Sequence, residues 1–224
     1  ELAAIRELVH RRRKREPVAY ILGRREFWGR SFDVSPAVLV PRPETEALVE
    51  RALALLPADR EARVLDLCTG TGCIGITLLC ERPLLRATLT DVSPAALAVA
   101  RGNAEKHGVL PRAELREGDL FGAVGAEARF DLVTANPPYL SNVELGECAP
   151  DVREHEPPVA LVAGPAGDEI LARIARGVLG ALLPGGHVLA EIGAGQGAVA
   201  RALFEAAGLR DVEIVQDLAR LDRV

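Results

Sequence analysis

The stretch Val64-Leu65-Asp66-Leu67-Cys68-Thr69-Gly70-Thr71-Gly72-Cys73-Ile74-Gly75 decides the fold class. Its first four residues form a short, mostly apolar run of the kind that makes a buried strand. The run ends in a glycine-bearing loop that opens a helix. Gly70 and Gly72 let the backbone turn tightly and approach a ligand with no Cβ in the way. Asp91 lies 21 positions after Gly70, at the end of the next expected strand, close to the spacing at which a carboxylate meets ribose hydroxyls. A ribose-bearing ligand is therefore expected. Gly70 to Gly75 also satisfies G-x-G-x-x-G, so the loop alone fits a dinucleotide as well.

Outward from this loop, from Arg63 onward, short apolar segments alternate with helical stretches, the pattern of a parallel α/β sheet. The expected strands are residues 64–67, 87–90, 113–116, 131–135, 187–192 and 212–215. Ser93 and Pro94 supply an N-cap and a first-turn proline for a helix ending near Gly108. A later helix shows Val199, Ala200, Leu203, Phe204 and Ala207 before Gly208, and the Pro184-Gly185-Gly186 turn feeds the fifth strand. Upstream, Leu2, Ile5, Leu8 and Val9 share one face of a helix that Pro17 stops. Residues 18–40 carry β-rich aromatic segments punctuated by Gly23 and Gly29, which fits a hairpin or small sheet. Pro43 opens a helix with the stripe Leu48, Val49, Ala52, Leu53 and Leu56. Residues 1–40 are expected to be the remnant of an N-terminal helical domain plus a β-hairpin linker, set apart from a catalytic domain over residues 41–224.

The most specific signal is Phe130-Asp131-Leu132-Val133-Thr134-Ala135-Asn136-Pro137-Pro138-Tyr139, a buried strand running into two prolines. Only three asparagines occur in the chain, and one stands at a carboxyl strand end, where open α/β sheets bind ligands. An amide nitrogen is a poor nucleophile because its lone pair is delocalised into the carbonyl. The Asn136 side-chain oxygen and the Pro137 backbone oxygen can each accept a hydrogen from a target NH₂ and hold it in line with a methyl donor. The prolines fix that backbone in advance, and Tyr139 offers a flat face to a planar target. Asp119, after the third strand, can accept from an adenine amino group, with Leu120 beside it. Together with Asn136 this set selects S-adenosylmethionine over a dinucleotide. The expected fold is α/β: a class I S-adenosylmethionine-dependent methyltransferase, Rossmann-like, with a mostly parallel seven-stranded sheet whose last strand is incomplete at Val224.

Composition narrows the classes further. With 49% hydrophobic and 26% charged residues, the chain of 224 has the balance of a folded globular protein, not a disordered one. No apolar run approaches the roughly 18 residues needed to cross a bilayer, and no signal peptide opens the chain, so no membrane partner is expected. The chain starts at Glu1 and contains no Met, and is read as a fragment. Cys68, Cys73, Cys80 and Cys148 show no CxxC spacing and the histidines do not cluster with them, so no metal site is expected. The cysteines read as buried thiols of a reducing cytoplasm. A net charge of −5 argues against direct nucleic-acid binding, and the basic run Arg11-Arg12-Arg13-Lys14-Arg15 reads as a solvated helix face.

These residues resemble the HemK-like protein-glutamine N5-methyltransferases, which modify the glutamine of the GGQ motif in peptide chain release factors. The resemblance spans nearly the whole chain. It includes Pro17 to Gly23, Glu26-Phe27-Trp28-Gly29, Val40-Pro41-Arg42-Pro43-Glu44-Thr45-Glu46, the cofactor loop, Asn136 to Tyr139, Glu191-Ile192-Gly193, and the segments Asp217-Leu218-Ala219 and Asp222-Arg223-Val224. Asn-Pro-Pro-Tyr is shared with adenine-N6 and some guanine-N2 nucleic-acid methyltransferases, so the segment from Pro41 to Glu46 discriminates. The resemblance implies S-adenosylmethionine contacts at Thr69, Gly70, Thr71, Gly72, Asp91, Leu120 and Asn136. It implies substrate contacts at Asn136, Pro137, Pro138 and Tyr139, with release factors as partners. A ribosomal-protein glutamine methyltransferase is the competitor within the family. Cys68 departs from the family pattern, which usually has glycine there, and the family's N-terminal helical domain is mostly missing from this sequence.

Overall fold

In the computed structural model, which describes residues 2–224 with the Ala4 side chain left aside, α1 (Leu2–Arg13) and the short α2 (Val18–Leu22) come first. Glu1, which the sequence assigns to the N-terminal extension, lies outside the described residues. The antiparallel pair β1 (Arg24–Phe27) and β2 (Arg30–Asp33) follows, then a 3-10 turn at Pro43–Thr45 leading into α3 (Glu46–Leu55). Strands and helices then alternate: β3 (Ala62–Leu67), α4 (Cys73–Glu81), β4 (Leu85–Asp91), α5 (Pro94–Lys106), β5 (Ala113–Glu117) and β6 (Phe130–Ala135). Small elements come next: β7 (Leu140–Ser141), α6 (Asn142–Glu147), α7 (Pro150–Arg153) and β8 (Val162–Gly164). Then come α8 (Glu169–Val178), β9 (Leu182–Ala190) and α9 (Gly197–Ala206).

The main sheet has the order β5-β4-β3-β6-β9, with every neighbouring pair parallel. The winding runs outward from β3 to β5, then resumes on the other side with β6. A crevice therefore opens at the carboxyl ends of β3 and β6, where such sheets bind ligands. The register fixes what meets there. Leu67 pairs with Thr90 and Ala135, and Ala135 pairs with Ala190. Cys68, Asp91, Asn136 and Glu191 therefore leave the sheet at one level, on four adjacent strands.

Both faces are covered, which is why the strands read as nearly continuous apolar runs. One core joins α3, α4 and α5 to the sheet through residues such as Leu48, Val49, Ile76 and Leu79. The other joins α8 and α9 through Ile174, Val178, Ala200 and Phe204. Each such Leu, Ile, Val or Phe, fully buried, contributes about 1.5–3 kcal/mol.

The hairpin is built into the first core: Phe27 and Phe32 are buried against it. Asn103 on α5 accepts from Asp33 N at 2.7 Å and donates to Asp33 O at 3.0 Å. Trp28 and Gly29 both have positive φ, 52° and 65°, as a two-residue type I′ turn requires. Trp28 N donates to Glu46 Oε1 at 2.7 Å, which ties the turn to the start of α3.

Several expectations are corrected here. Among the described residues the sheet has five strands, not seven. Residues 212–215 do not join it, because Val215 N donates to Val224 O at 2.7 Å and Arg223 N donates to Val215 O at 2.9 Å. The strand expected at 187–192 begins at Leu182 and takes Pro184-Gly185-Gly186 inside it, as an irregularity between the pairs Phe130–Leu182 and Leu132–His187. It ends at Ala190, beyond which Ile192 N turns to Arg223 O. Residues 18–22 form a helix, because Pro17 starts it and Gly23 closes it in the left-handed region. The sequence reading missed α8, whose buried Leu171, Ile174, Ala175 and Val178 follow helical spacing. Among the described residues no helix is long and apolar enough to cross a membrane.

Candidate active site

The glycine loop is shaped from beneath by Asp66, a fully buried carboxylate at the end of β3. It accepts from Thr69 Oγ1 at 2.6 Å, Thr134 Oγ1 at 2.8 Å and Gly75 N at 3.2 Å. Burial raises its pKa and those three donors pull it part of the way back, which leaves it at about 6. The same bonds pin the loop and the start of α4 to β6. Gly72, with φ +80°, ends the loop, and a Cβ there would come 2.5 Å from Ile76 Cδ1. Cys68 adopts the left-handed region too, at φ 54°, so the chain takes a glycine-like path despite its side chain. That conformation costs a non-glycine residue roughly 1–2 kcal/mol. Burial and the carboxylates of Asp91, Asp66 and Asp119 push the Cys68 thiol well above its usual range, so it stays protonated.

A cavity of about 310 Å³ lies over this loop, within the size range of small-molecule sites. Of the candidate cofactor residues, Thr69, Gly70, Thr71 and Asp91 line it from the β3 and β4 side. Asp119, Leu120 and Asn136 line it from the other loops, together with Pro138. Gly72, Pro137 and Tyr139 do not line it. Thr71 turns its hydroxyl inward to accept from Cys73 N at 3.3 Å. The Tyr139 ring packs near Gly193, and its carbonyl accepts from Gln196 Nε2 at 3.1 Å. Burial, with Glu191 nearby, raises the Tyr139 phenol pKa.

Asp91 accepts one backbone N–H at each oxygen, from Gly70 at 2.9 Å and from Ser93 at 2.9 Å. A carboxylate has about four acceptor sites. Two remain for hydroxyl groups at the cavity wall, so the set fits the ribose of an adenosine cofactor. Asp119 is exposed and paired with Arg173 Nη2 at 2.6 Å. Leu120, buried with φ 49°, supplies an apolar surface beside it.

Asn136 donates from Nδ2 to Thr45 Oγ1 at 3.3 Å, the residue lines the cavity, and among the described residues nothing donates to its Oδ1. Thr45 and Glu191 are each 1% exposed, and Glu191 Oε2 has no hydrogen-bond partner among the described residues. Burial lifts Glu191 to about 7, while the Thr45 hydroxyl and Arg223 favour its ionised form. Arg42, at the cavity edge, donates to the buried Glu156 at 2.6 Å. The sequence reading did not assign roles to Asp66, Thr45, Arg42, Glu191 or Gln196. Thr45, Arg42 and Glu191 lie within segments that carry the family resemblance, and that was the available signal.

A glycine loop, a strand-end carboxylate and an Asn-Pro-Pro-Tyr corner around one switch-point cavity define a methyltransferase. A family model described as "Methyltransferase small domain" matches residues 45–149. The crystal structure of a methyltransferase from Pyrococcus furiosus has the same fold, with a TM-score of 0.61 at 19% identity over 85% of this chain and 84% of that one. More narrowly, the chain belongs to the release factor glutamine methyltransferase family. It is 51% identical over 213 residues to the protein of that name from Cereibacter sphaeroides, covering 95% of this chain and 74% of the relative. The protein of that name from Bordetella pertussis is 46% identical over 222 residues, covering 99% of this chain and 81% of the relative.

Proposed function

We propose that this chain transfers a methyl group from S-adenosylmethionine to the side-chain amide nitrogen, N5, of the glutamine in the GGQ motif of peptide chain release factors. The observation that carries this reading is the state of Asn136: it lines the cavity and its nitrogen is engaged by Thr45, so its oxygen is the end left to accept from a substrate. When bound, S-adenosylmethionine supplies a methyl group made electrophilic by the sulfonium charge. The backbone of Thr69 to Thr71 would cradle that cofactor, with Gly72 closing the loop behind it, while Asp91 would take the ribose hydroxyls and Asp119 and Leu120 the adenine. Asn136 Oδ1 and the Pro137 carbonyl accept the two hydrogens of the target amide, which orients its nitrogen and raises its electron density. Pro138 lines the wall that receives the planar amide, and Tyr139 stands behind it, its carbonyl accepting from Gln196 Nε2. Orienting reactants in this way is worth up to about 7–11 kcal/mol of barrier. The methylated nitrogen is acidic and sheds its proton to water, so no strong base is needed.

Residues 1–40 are read as the remnant of an N-terminal helical domain plus a β-hairpin linker, and residues 41–224 as the catalytic unit. All four cysteines are free, which fits action in the reducing cytoplasm. Incubation with labelled S-adenosylmethionine and, separately, release factor, ribosomal protein and RNA tests the assignment. Label on a release-factor glutamine is expected. Label confined to ribosomal protein or RNA would overturn it.

A further inference from the structure

We propose that Thr45 and Glu191 are positioning residues that lock the Asn136 side-chain amide with its oxygen toward the target nitrogen, Glu191 acting through the Thr45 hydroxyl. This rests on the methyl-transfer reading above. The two ends of an asparagine amide are chemically opposite: Oδ1 accepts hydrogen bonds and Nδ2 donates them. A flipped Asn136 would set its own NH₂ against the NH₂ it has to hold. Something must choose between the two orientations.

The geometry supplies the choice. Asn136 Nδ2 donates to Thr45 Oγ1 at 3.3 Å. The hydroxyl carries one proton, and with its oxygen accepting from Asn136 that proton must go elsewhere. Strand register brings an acceptor near: Glu191 follows the pair Ala135–Ala190 and Glu191 N donates to Ala135 O at 2.8 Å, so Glu191 leaves the sheet next to Asn136, and the Thr45 hydroxyl is among the groups that favour its ionised form. Thr45 and Glu191 are both buried, and Glu191 Oε2 lacks any hydrogen-bond partner among the described residues. An ionised carboxylate only accepts, so it draws the Thr45 proton and fixes the order Asn136 to Thr45 to Glu191. A protonated Glu191 can donate into Thr45 instead. The Thr45 proton is then released toward Asn136, and the flipped amide becomes competitive.

The charged and titratable groups facing Glu191 come from four places. Arg42 and Glu44 lie on the turn before α3, Arg223 on the C-terminal segment, Tyr139 on the loop after β6 and Cys73 at the start of α4. The cations favour the ionised form and Glu44 opposes it. Burial is the largest influence and brings the titration to about 7, within reach of ordinary assay conditions.

The test is single-turnover methyl transfer to an intact release factor, measured across about pH 6 to 8 for wild type, T45V, T45S and E191Q. S-adenosylhomocysteine affinity and thermal unfolding are followed in parallel. Wild type is expected to gain about tenfold in rate over that range, as one controlling group titrating near its middle requires. E191Q, whose amide still accepts but does not titrate, should lose the step. T45V should be slower by about 10- to 100-fold, the order of loss that a small misplacement of a reacting group brings. T45S, which keeps the hydroxyl, should recover most of that rate. Independently of activity, an infrared carboxyl band that fades near pH 7 should be present in wild type and missing from E191Q. The relay is wrong if T45V transfers methyl at the wild-type rate or if E191Q keeps the same pH step. It is equally wrong if T45V loses cofactor affinity and stability in parallel with rate, since that marks a purely structural role. Active wild type with unchanged variants rejects the relay alone, whereas wild type that labels no release factor rejects the activity and the relay together.

Discussion

At the scale of single residues, Asn136 and Asp91 carry different halves of the task, and substitutions separate them. Asn136 lines the cofactor cavity but spends its nitrogen on Thr45, so its oxygen is the part left for a substrate. Asn136→Ala should lower the single-turnover rate by about 10²–10³-fold, as loss of one preorganised hydrogen-bond partner does in a closed site. S-adenosylhomocysteine affinity should change little. Asn136→Asp keeps an acceptor but gives up the Nδ2 donor and sets a second carboxylate near Glu191, so partial activity is expected. Wild-type transfer by Asn136→Ala would show that other groups orient the nitrogen. Asp91 was legible in the sequence from its distance to the glycine loop, and Asn136 from the Pro-Pro-Tyr that follows it at a strand end. Their partners were not. Thr45 stands 91 positions before Asn136, and only strand register brings Glu191 beside it.

At the scale of elements, the contacts that hold the site together join segments distant in sequence. Glu46 clamps the Trp28 turn, and the chain has only this one tryptophan, which makes it a reporter. Glu46→Ala should shift the tryptophan emission and destabilise the fold by about 1 kcal/mol, the net worth of one hydrogen bond. Glu46→Gln, which keeps an acceptor, should restore both; an unchanged spectrum in Glu46→Ala would show that the clamp does not hold the turn. Asp66 braces β3, β6 and α4, and its pKa of about 6 lies above the ordinary carboxylate value. The folded protein therefore holds that proton more tightly than the unfolded chain does. The resulting stabilisation is fully present below the unfolded pKa near 4 and is lost as pH rises through about 6. Relative to Asp66→Asn, wild type should lose roughly 1–3 kcal/mol of unfolding free energy between about pH 4 and pH 7. A difference that stays flat in urea titrations across that range would place the titration elsewhere. Element types were legible where periodicity was strong, as in β3, β4 and β6. They were misread where punctuation outweighed propensity: Pro17 and Gly23 make a helix of Val18-Ala19-Tyr20-Ile21-Leu22.

At the scale of the whole molecule, the reversal of winding at β3 sets the glycine loop, Asp91 and Asn136 around one cavity, so ligand binding and folding are coupled. The parallel sheet and its crevice were legible from alternating strands and helices. The number of strands was not, because residues 212–215 have strand-like composition, yet Val215 bonds its backbone to Arg223 and Val224 and not to the sheet. A ligand present at a hundred times its Kd stabilises the folded state by about 2.7 kcal/mol. For a domain of this size each kcal/mol moves Tm by about 2–4 °C, so S-adenosylhomocysteine at that level should raise Tm by about 5–10 °C. Asp91→Ala removes the charged acceptor for ribose, which costs roughly 1.5–3 kcal/mol of binding. It also leaves Gly70 N and Ser93 N without their partner, so its unliganded Tm should fall. At the same ligand concentration its Tm shift should shrink to about half or less, because a tenfold weaker Kd already removes about 1.4 kcal/mol of linkage. Asn136→Ala should keep the full shift while losing transfer. A full ligand-induced shift in Asp91→Ala would remove Asp91 from the cofactor site, and no shift in wild type would mean that the cavity over the glycine loop does not receive this cofactor.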